Sequence, residues 1–132
     1  MLKLTYTIKF KTMSETPRAP EEALDESELL NEFSSEERDL IQKIKERGYK
    51  DPKTFELLTA WAKKEEALAE KAGPGVPDFE FTLKRGKLFY LAGCIEEALE
   101  NFQDAANLAY QLGEDTLEQR AISLFDKVKR GK

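Results

Sequence analysis

Apolar side chains recur at helical spacing along most of the chain. The clearest pattern covers residues 95–112, where apolar residues follow one another at intervals of three and four and Gly113 ends the run. This spacing puts the side chains on one face of an α-helix, and a glycine after the last of them is a common helix stop. The pattern predicts an amphipathic helix whose apolar face consists of Ile95, Ala98, Leu99, Phe102, Ala105, Ala106, Ala109 and Leu112.

Start and stop signals predict two helices before this one. Ser34 and Glu37 form a capping box, in which each residue satisfies a free backbone N–H of the other, and the helix they begin is expected to end at Gly48. Asp51 and Pro52 are the residues favoured at the start of a second, longer helix. We therefore expect a short helix followed by one of about twenty residues.

The glycine- and proline-rich residues 73–77 end the long helix and predict a corner in the chain. After it, Asp78 is expected to cap a helix that ends at Gly93. A final amphipathic helix follows residues 114–115 and ends in a run of basic residues near 130. The fold class predicted is all-α, built from antiparallel helical hairpins.

The N-terminus follows a different pattern. Residues 2–10 alternate between apolar and polar, which is typical of a single amphipathic β-strand, and residues 14–25 have the proline-rich, acidic composition of a linker. The strand-like segment could pair with the sheet edge of another protein, or it could be an upstream extension with Met13 as the true start. We predict a flexible N-terminal segment at 1–28, a helical lead-in at 29–73 and a final helical unit at 78–132.

Composition narrows the possible functions. The chain has 132 residues and a net charge of −5, so it has room for one ordinary core, and its overall field repels nucleic acids. It contains no histidine and a single cysteine, Cys94, which removes the commonest catalytic base and any internal disulfide. No apolar run reaches the ~20 residues that span a bilayer. We expect a cytoplasmic protein with no nucleic-acid partner and no membrane insertion.

Small and large side chains across the predicted 78–112 hairpin carry a family resemblance. Gly86 and Ala98 allow two helices to approach closely, and Phe102 fills the gap toward a third. The chain here resembles one tetratricopeptide repeat with a capping helix, over about residues 79–130, through Gly86, Phe89, Gly93, Ala98, Phe102 and Ala105. It departs from the family pattern at Thr82 and Arg85 and lacks the closing proline. The same helices also resemble, more loosely, the microtubule-interacting and trafficking domain, a three-helix bundle.

The tetratricopeptide resemblance implies a binding groove lined by the first helix of the repeat. It assigns to this groove Lys84, Lys87, Tyr90, Leu91 and Arg120. Basic side chains beside a tyrosine would suit a peptide that carries carboxylates. The asparagines of the family's clamp for acidic C-termini are absent. In the alternative interpretation, the two lysines are solvated helix positions without a ligand.

The remaining candidate residues do not indicate chemistry. Cys94 has no neighbouring cation that would lower its pKa, and Trp61 lies on an apolar helix face typical of a core. We predict no catalytic residue, no metal site and no cofactor. The expected function is a non-catalytic protein–protein interaction module, an adaptor or scaffold that binds a peptide or helix of a partner. The alternative is an acidic regulatory subunit or inhibitor that docks on a basic partner, and self-association is also possible.

Overall fold

The computed structural model describes residues 24–131. Within this range the chain forms six helices and no strand, so the all-α fold class is confirmed. The strand-like pattern at 2–10 and residues 14–23 of the predicted linker lie outside the described residues. The helices are α1 (Glu26–Leu30), α2 (Ser35–Arg47), α3 (Pro52–Ala72), α4 (Val76–Leu91), α5 (Ile95–Leu112) and α6 (Asp115–Gly131). None of them is long and apolar enough to cross a membrane.

The starts of α2 and α3 follow from their capping residues. The Ser34 amide donates to Glu37 Oε1 at 2.9 Å, and the Glu37 amide donates to Ser34 Oγ at 3.1 Å. The Asp51 carboxylate accepts from the backbone and the side chain of Thr54, at 3.1 and 3.0 Å. Both caps satisfy amide groups that have no partner inside the helix.

The start of α4 differs from the prediction. Asp78 was expected to cap this helix, whereas the helix begins at Val76 with Gly75 at the capping position and no side-chain cap. The Asp78 amide donates to the Gly75 carbonyl oxygen at 3.0 Å. Pro77 explains the earlier start, because proline fits the first helical turn, where its missing N–H is not needed. Asp78 lies within this first turn, where its negative charge complements the helix dipole.

Helices α4, α5 and α6 pack one after another, with α5 in the middle. The inward face of α5 has almost no solvent contact: Ala98, Phe102, Ala105, Ala106 and Ala109 are all fully buried. Helices α1, α2 and α3 pack against α4 from its other side. One hydrophobic core joins both parts, since it includes Leu29 and Ile44 from the lead-in as well as Val128 from α6. Helix α1 begins at Glu26, slightly before residue 29, the predicted start of the lead-in.

The closest approach of α4 to α5 is at Gly86. A Cβ atom at this position would lie 2.6 Å from Phe102 Cε1 and 3.2 Å from Asn101 Cβ. Both distances are shorter than ordinary carbon–carbon contacts of about 3.5–4.0 Å. The chain turns out of α4 at Gly93, whose φ of +86° is in the region that favours glycine. These two glycines let α4 and α5 form a close hairpin.

We predict that Gly86→Ala destabilises the protein by about 1–2 kcal/mol, although alanine is the better helix former by about 1 kcal/mol. The Phe102 ring causes this loss, so the cost of Gly86→Ala should become much smaller in a Phe102→Leu background. Urea unfolding of the four proteins of this double-mutant cycle measures the coupling. An equal cost in both backgrounds would show that the ring does not limit the approach of the helices.

Candidate functional site

The lysines predicted to line a binding groove lie on α4 and face the chain's own lead-in. Lys84 Nζ lies 2.9 Å from Glu37 Oε2 on α2 and 3.4 Å from Glu65 Oε1 on α3. Lys87 Nζ lies 2.9 Å from Glu32 Oε1, just after α1, and its side chain is only 14% exposed. Both lysines therefore bind carboxylates, as the predicted groove would, but the carboxylates belong to the same chain.

Tyr90 and Leu91 lie further along α4. Leu91 is buried in the core, 4% exposed. Tyr90 is half-buried and lines a cavity of about 260 Å³ together with Glu26 and Lys45. Burial, with a smaller contribution from Glu26, raises the pKa of the Tyr90 hydroxyl. Leu91 offers no surface to a ligand in this arrangement, and Tyr90 offers only part of its ring.

Arg120 joins the same side of α4 from helix α6. Its two terminal nitrogens contact the two carboxylate oxygens of Glu80 at 3.2 and 3.0 Å, and its guanidinium lies 5.6 Å from the centre of the Phe79 ring. Glu80 precedes Lys84 by one helical turn, so the two lie on one face of α4. The structure thus places Arg120 beside this face, paired with a carboxylate of α4. Binding of a partner by the five residues of the predicted groove stays a prediction.

Glu37 connects three helices at the edge of this face. Besides closing its capping box, its carboxylate accepts from Trp61 Nε1 at 2.8 Å and from Lys84. Burial alone would raise the pKa of Glu37, but the bonds from the Ser34 amide, Trp61 and Lys84 outweigh it and lower the pKa below its usual 4.5. Burial alone would lower the pKa of Lys84, whereas Glu37 and Glu65 raise it above 10.5. The sequence indicated only the capping role of Glu37.

A cleft between α3 and the α4–α5 hairpin was missed by sequence reasoning. It has a volume of about 530 Å³, and Phe55, on its α3 side, is 53% exposed. Phe55 lies on a side of α3 that the neighbouring helices cover only in part. We call this site the acidic cleft; its lining includes the aromatic and aliphatic residues Tyr49, Phe55, Leu58 and Phe89, the carboxylates Glu66, Glu97, Glu100 and Asp104, and the cations Lys63 and Arg85.

The position of Tyr49 at one end of the acidic cleft is held by Glu97. The Tyr49 hydroxyl donates to Glu97 Oε2 at 2.6 Å, and the Tyr49 ring packs edge-on against Phe89 with 5.6 Å between ring centres. The hydrogen bond to Glu97, with smaller contributions from burial and nearby acidic groups, raises the pKa of Tyr49 to about 12. One of the four carboxylates is therefore already bound by a side chain of the lining.

Arg85 lies between α3 and α5, and its guanidinium contacts mainly uncharged side chains. Its Nε donates to Asn101 Oδ1 at 2.7 Å, and its guanidinium lies 4.7 Å from the centre of the Phe81 ring. Burial lowers the pKa of Arg85, while Glu66 and Asp104 oppose this change. Among the described residues, no cation forms an ion pair within 4.0 Å of Glu66, Glu100 or Asp104.

A second cleft, between α2 and α3, has a different charge balance. It has a volume of about 400 Å³, and its apolar lining includes Leu57, which is 47% exposed. Of its carboxylates, Glu37 and Glu65 are paired with Lys84. The remaining carboxylates are Glu36 and Asp39, and the lysines Lys43 and Lys64 balance them in number. Because Lys84 carries only one charge for two carboxylates, this cleft keeps a net charge of −1, compared with −2 for the four carboxylates and two cations of the acidic cleft.

The remaining candidate residues of the described range are Cys94, the metal-binding side chain types and Trp61. Cys94 caps α5 without a side-chain hydrogen bond, and burial, with a smaller contribution from Glu97, raises the pKa of its thiol. A raised pKa disfavours the thiolate, which is the nucleophilic form. No group of three or more Cys, Asp or Glu side chains in residues 24–131 is placed to hold a metal ion. Trp61 is half-buried and packs against Phe81 with 5.9 Å between ring centres.

Comparison of the chain with protein-family models, with curated proteins and with solved structures found no significant match. The resemblance to a tetratricopeptide repeat therefore depends on the residue pattern of the hairpin alone.

We predict that Glu37→Gln lowers the free energy of unfolding by about 1–2 kcal/mol near neutral pH, because Lys84 and Trp61 lose a charged acceptor. The matched control is Glu36→Gln, which changes an exposed residue in the same helical turn and should be nearly neutral. Urea unfolding of the three proteins as a function of pH measures both effects.

The pH dependence of this difference follows from the two pKa shifts. The lowered pKa of Glu37 means that its contribution is present above pH 4.5 and is lost as the pH falls through the folded-state pKa. The raised pKa of Lys84 means that its contribution is present below pH 10.5 and is lost as the pH rises through the folded-state pKa. A difference between wild type and Glu37→Gln that persists at acidic pH would contradict the assigned ion pair.

We predict that the Tyr49 hydroxyl titrates with a pKa of about 12 and that Glu97→Gln moves it toward its usual value of 10.0. The negative charge of Glu97 opposes ionisation of the hydroxyl, and glutamine removes that charge. Carbon-13 NMR of labelled tyrosine resolves Tyr49 from the other tyrosines, and Glu96→Gln is the neighbouring control. If Glu97→Gln leaves the Tyr49 titration unchanged, this end of the acidic cleft is arranged differently.

Proposed function

We propose that the protein is a non-catalytic protein–protein interaction module, an adaptor or scaffold that binds a peptide or helix of a partner. The observation that carries this proposal is the acidic cleft, which combines a half-exposed aromatic side chain with a rim of carboxylates. Aromatic side chains set in a recess and surrounded by polar groups are the usual centres of binding energy in protein interfaces. The α4–α5 hairpin with α6 as its cap, which is tetratricopeptide-like in residue pattern, supports the same reading.

The acidic cleft is a better candidate surface than the predicted groove on α4. A ligand at Lys84 or Lys87 would have to replace the carboxylates of Glu37, Glu65 and Glu32, and it would have to displace Phe33, which is 3% exposed. Each such replacement costs free energy that the new contacts must first recover. In the acidic cleft, the helices of residues 24–131 leave Phe55 53% exposed, so a ligand gains its burial without displacing any of these helices.

The carboxylates of the cleft also favour the second candidate function, an acidic regulatory subunit or inhibitor that docks on a basic partner. The two candidates differ in their response to salt. Docking dominated by charge weakens steeply with ionic strength, because salt screens exposed charges over about 8–10 Å. Binding dominated by the apolar lining of the cleft changes little. The salt dependence of a captured complex therefore separates the two functions.

We predict that Phe55→Gln reduces capture of a partner protein by about tenfold or more, because a buried aromatic anchor contributes about 2 kcal/mol or more at an interface centre. The measurement is chemical crosslinking and affinity capture from source cells, compared by quantitative mass spectrometry. The matched control is Leu68→Gln, on the same helix with a similar exposure of 54% but outside the cleft.

The outcome of this comparison is specific to the cleft. A partner lost with Phe55→Gln and retained with Leu68→Gln supports the proposal. A partner retained in both variants places the interaction elsewhere on the molecule. Recovery of the chain's own copies alone indicates self-association, and recovery of nothing specific contradicts an adaptor role.

A further inference from the structure

The acidic cleft carries more negative charge than its own lining compensates. Glu66, Glu100 and Asp104 have no ion-pair partner among the described residues, and they lie around an apolar floor that includes Phe55 and Leu58. A ligand that fits this surface has an apolar side to cover the floor and cations to meet the rim. The cleft thus specifies its occupant by two properties, an apolar face and positive charge.

Residues 2–11 of the chain have both properties. Apolar side chains occupy every second position from Leu2 to Phe10. The alternate positions include the lysines Lys3, Lys9 and Lys11. The segment contains no acidic residue, and the first one in the chain is Glu15. In an extended conformation its apolar side chains share one face. Lysine side chains are long enough to reach around a bound segment to neighbouring carboxylates.

We propose that residues 2–11 bind the acidic cleft of the same molecule, with their apolar face on Phe55 and their lysines toward Glu66, Glu100 and Asp104. This proposal rests on the proposed function, since it takes the acidic cleft to be a protein-binding surface. It adds the chemistry of the ligand: a partner that uses the cleft is a basic, apolar segment that competes with residues 2–11.

The reach of the linker between the segment and the helices exceeds the radius of gyration of about 13 Å that is typical of a compact domain of this size. Glu26 at the start of α1 lines the same cavity as Tyr90, and the neighbouring Phe89 lines the acidic cleft. The thirteen steps from residue 11 to residue 24 reach roughly 45 Å when extended and about 20 Å on average as a random coil. A tether of this length gives an effective concentration in the millimolar range, so the cleft is mostly filled if the intrinsic Kd of the segment lies below that range.

The test is zero-length carbodiimide crosslinking of the full chain, followed by peptide mass spectrometry. This reagent joins a lysine to a carboxylate only when the two groups are in contact. The pairs Lys84–Glu37 and Lys87–Glu32, both at 2.9 Å, serve as internal positive controls. The exposed carboxylates Glu114 and Asp115, at the start of α6, serve as background.

We expect the lysines of residues 2–11 to crosslink to Glu66, Glu100 or Asp104 about five-fold or more above that background. Phe55→Gln should reduce these crosslinks although it leaves every carboxylate in place, and Leu68→Gln should not. Raising the salt from about 0.05 M to about 0.5 M should also reduce them, because the Debye length shortens several-fold.

Three results would overturn the proposal. Crosslinks spread evenly over exposed carboxylates, or absent from the cleft, would mean that residues 2–11 do not bind there. In an equal mixture of nitrogen-15-labelled and unlabelled protein, crosslinked peptides of mixed label would assign the contact to a second copy. If the crosslinks are absent from the cleft, the capture experiment with Phe55→Gln still tests the proposed function. If that capture experiment recovers no partner, the crosslinks still test the binding of residues 2–11.

Discussion

The close approach of α4 and α5 at Gly86 determines how the other helices are arranged. With no side chain at this position, the Phe102 ring packs directly against the backbone of α4. Helix α5 also packs against α6, so that α5 becomes the middle layer of the final three helices, and the alanines that share a face with Phe102 are fully buried. Small residues thus let the three helices on either side of the turns at Gly93 and Gly113 pack closely.

The opposite side of α4 creates a second requirement. Its apolar residues include Leu83, which is 1% exposed, and a hairpin with its cap cannot cover them alone. The lead-in covers this side with Leu29, Phe33 and Ile44. The same side carries Lys84 and Lys87, whose charges would be costly to bury without partners. The lead-in therefore supplies carboxylates as well as apolar side chains, and the two kinds of contact depend on each other.

Local signals in the sequence predicted most of the fold, because a capping residue or a glycine acts within a few positions of itself. The capping box at Ser34 and Glu37, the Asp51 cap and the glycine at 113 are each found in the structure. The predicted start of α4 was wrong because two signals compete there. Pro77 favours a first helical turn that includes residues 76–78, and this turn places Asp78 inside the helix instead of at the capping position. The pairing of Lys87 with Glu32 joins residues 55 positions apart, and no local pattern contains such information.

The candidate site was less predictable than the fold, because it is formed by residues that are far apart in the sequence. Phe55 and Asp104 lie on different helices, and only the packing of α3 against the hairpin brings them to one cleft. The numbers of basic and acidic side chains in the whole chain explain why the cleft is acidic. The chain has 21 basic and 26 acidic side chains, and the lysines of α4 are engaged with carboxylates of the lead-in. Cations used in this way cannot compensate the carboxylates on the far side of the hairpin. The interactions that hold the lead-in on α4 therefore leave negative charge beside Phe55, on an apolar part of α3 that the neighbouring helices leave partly open.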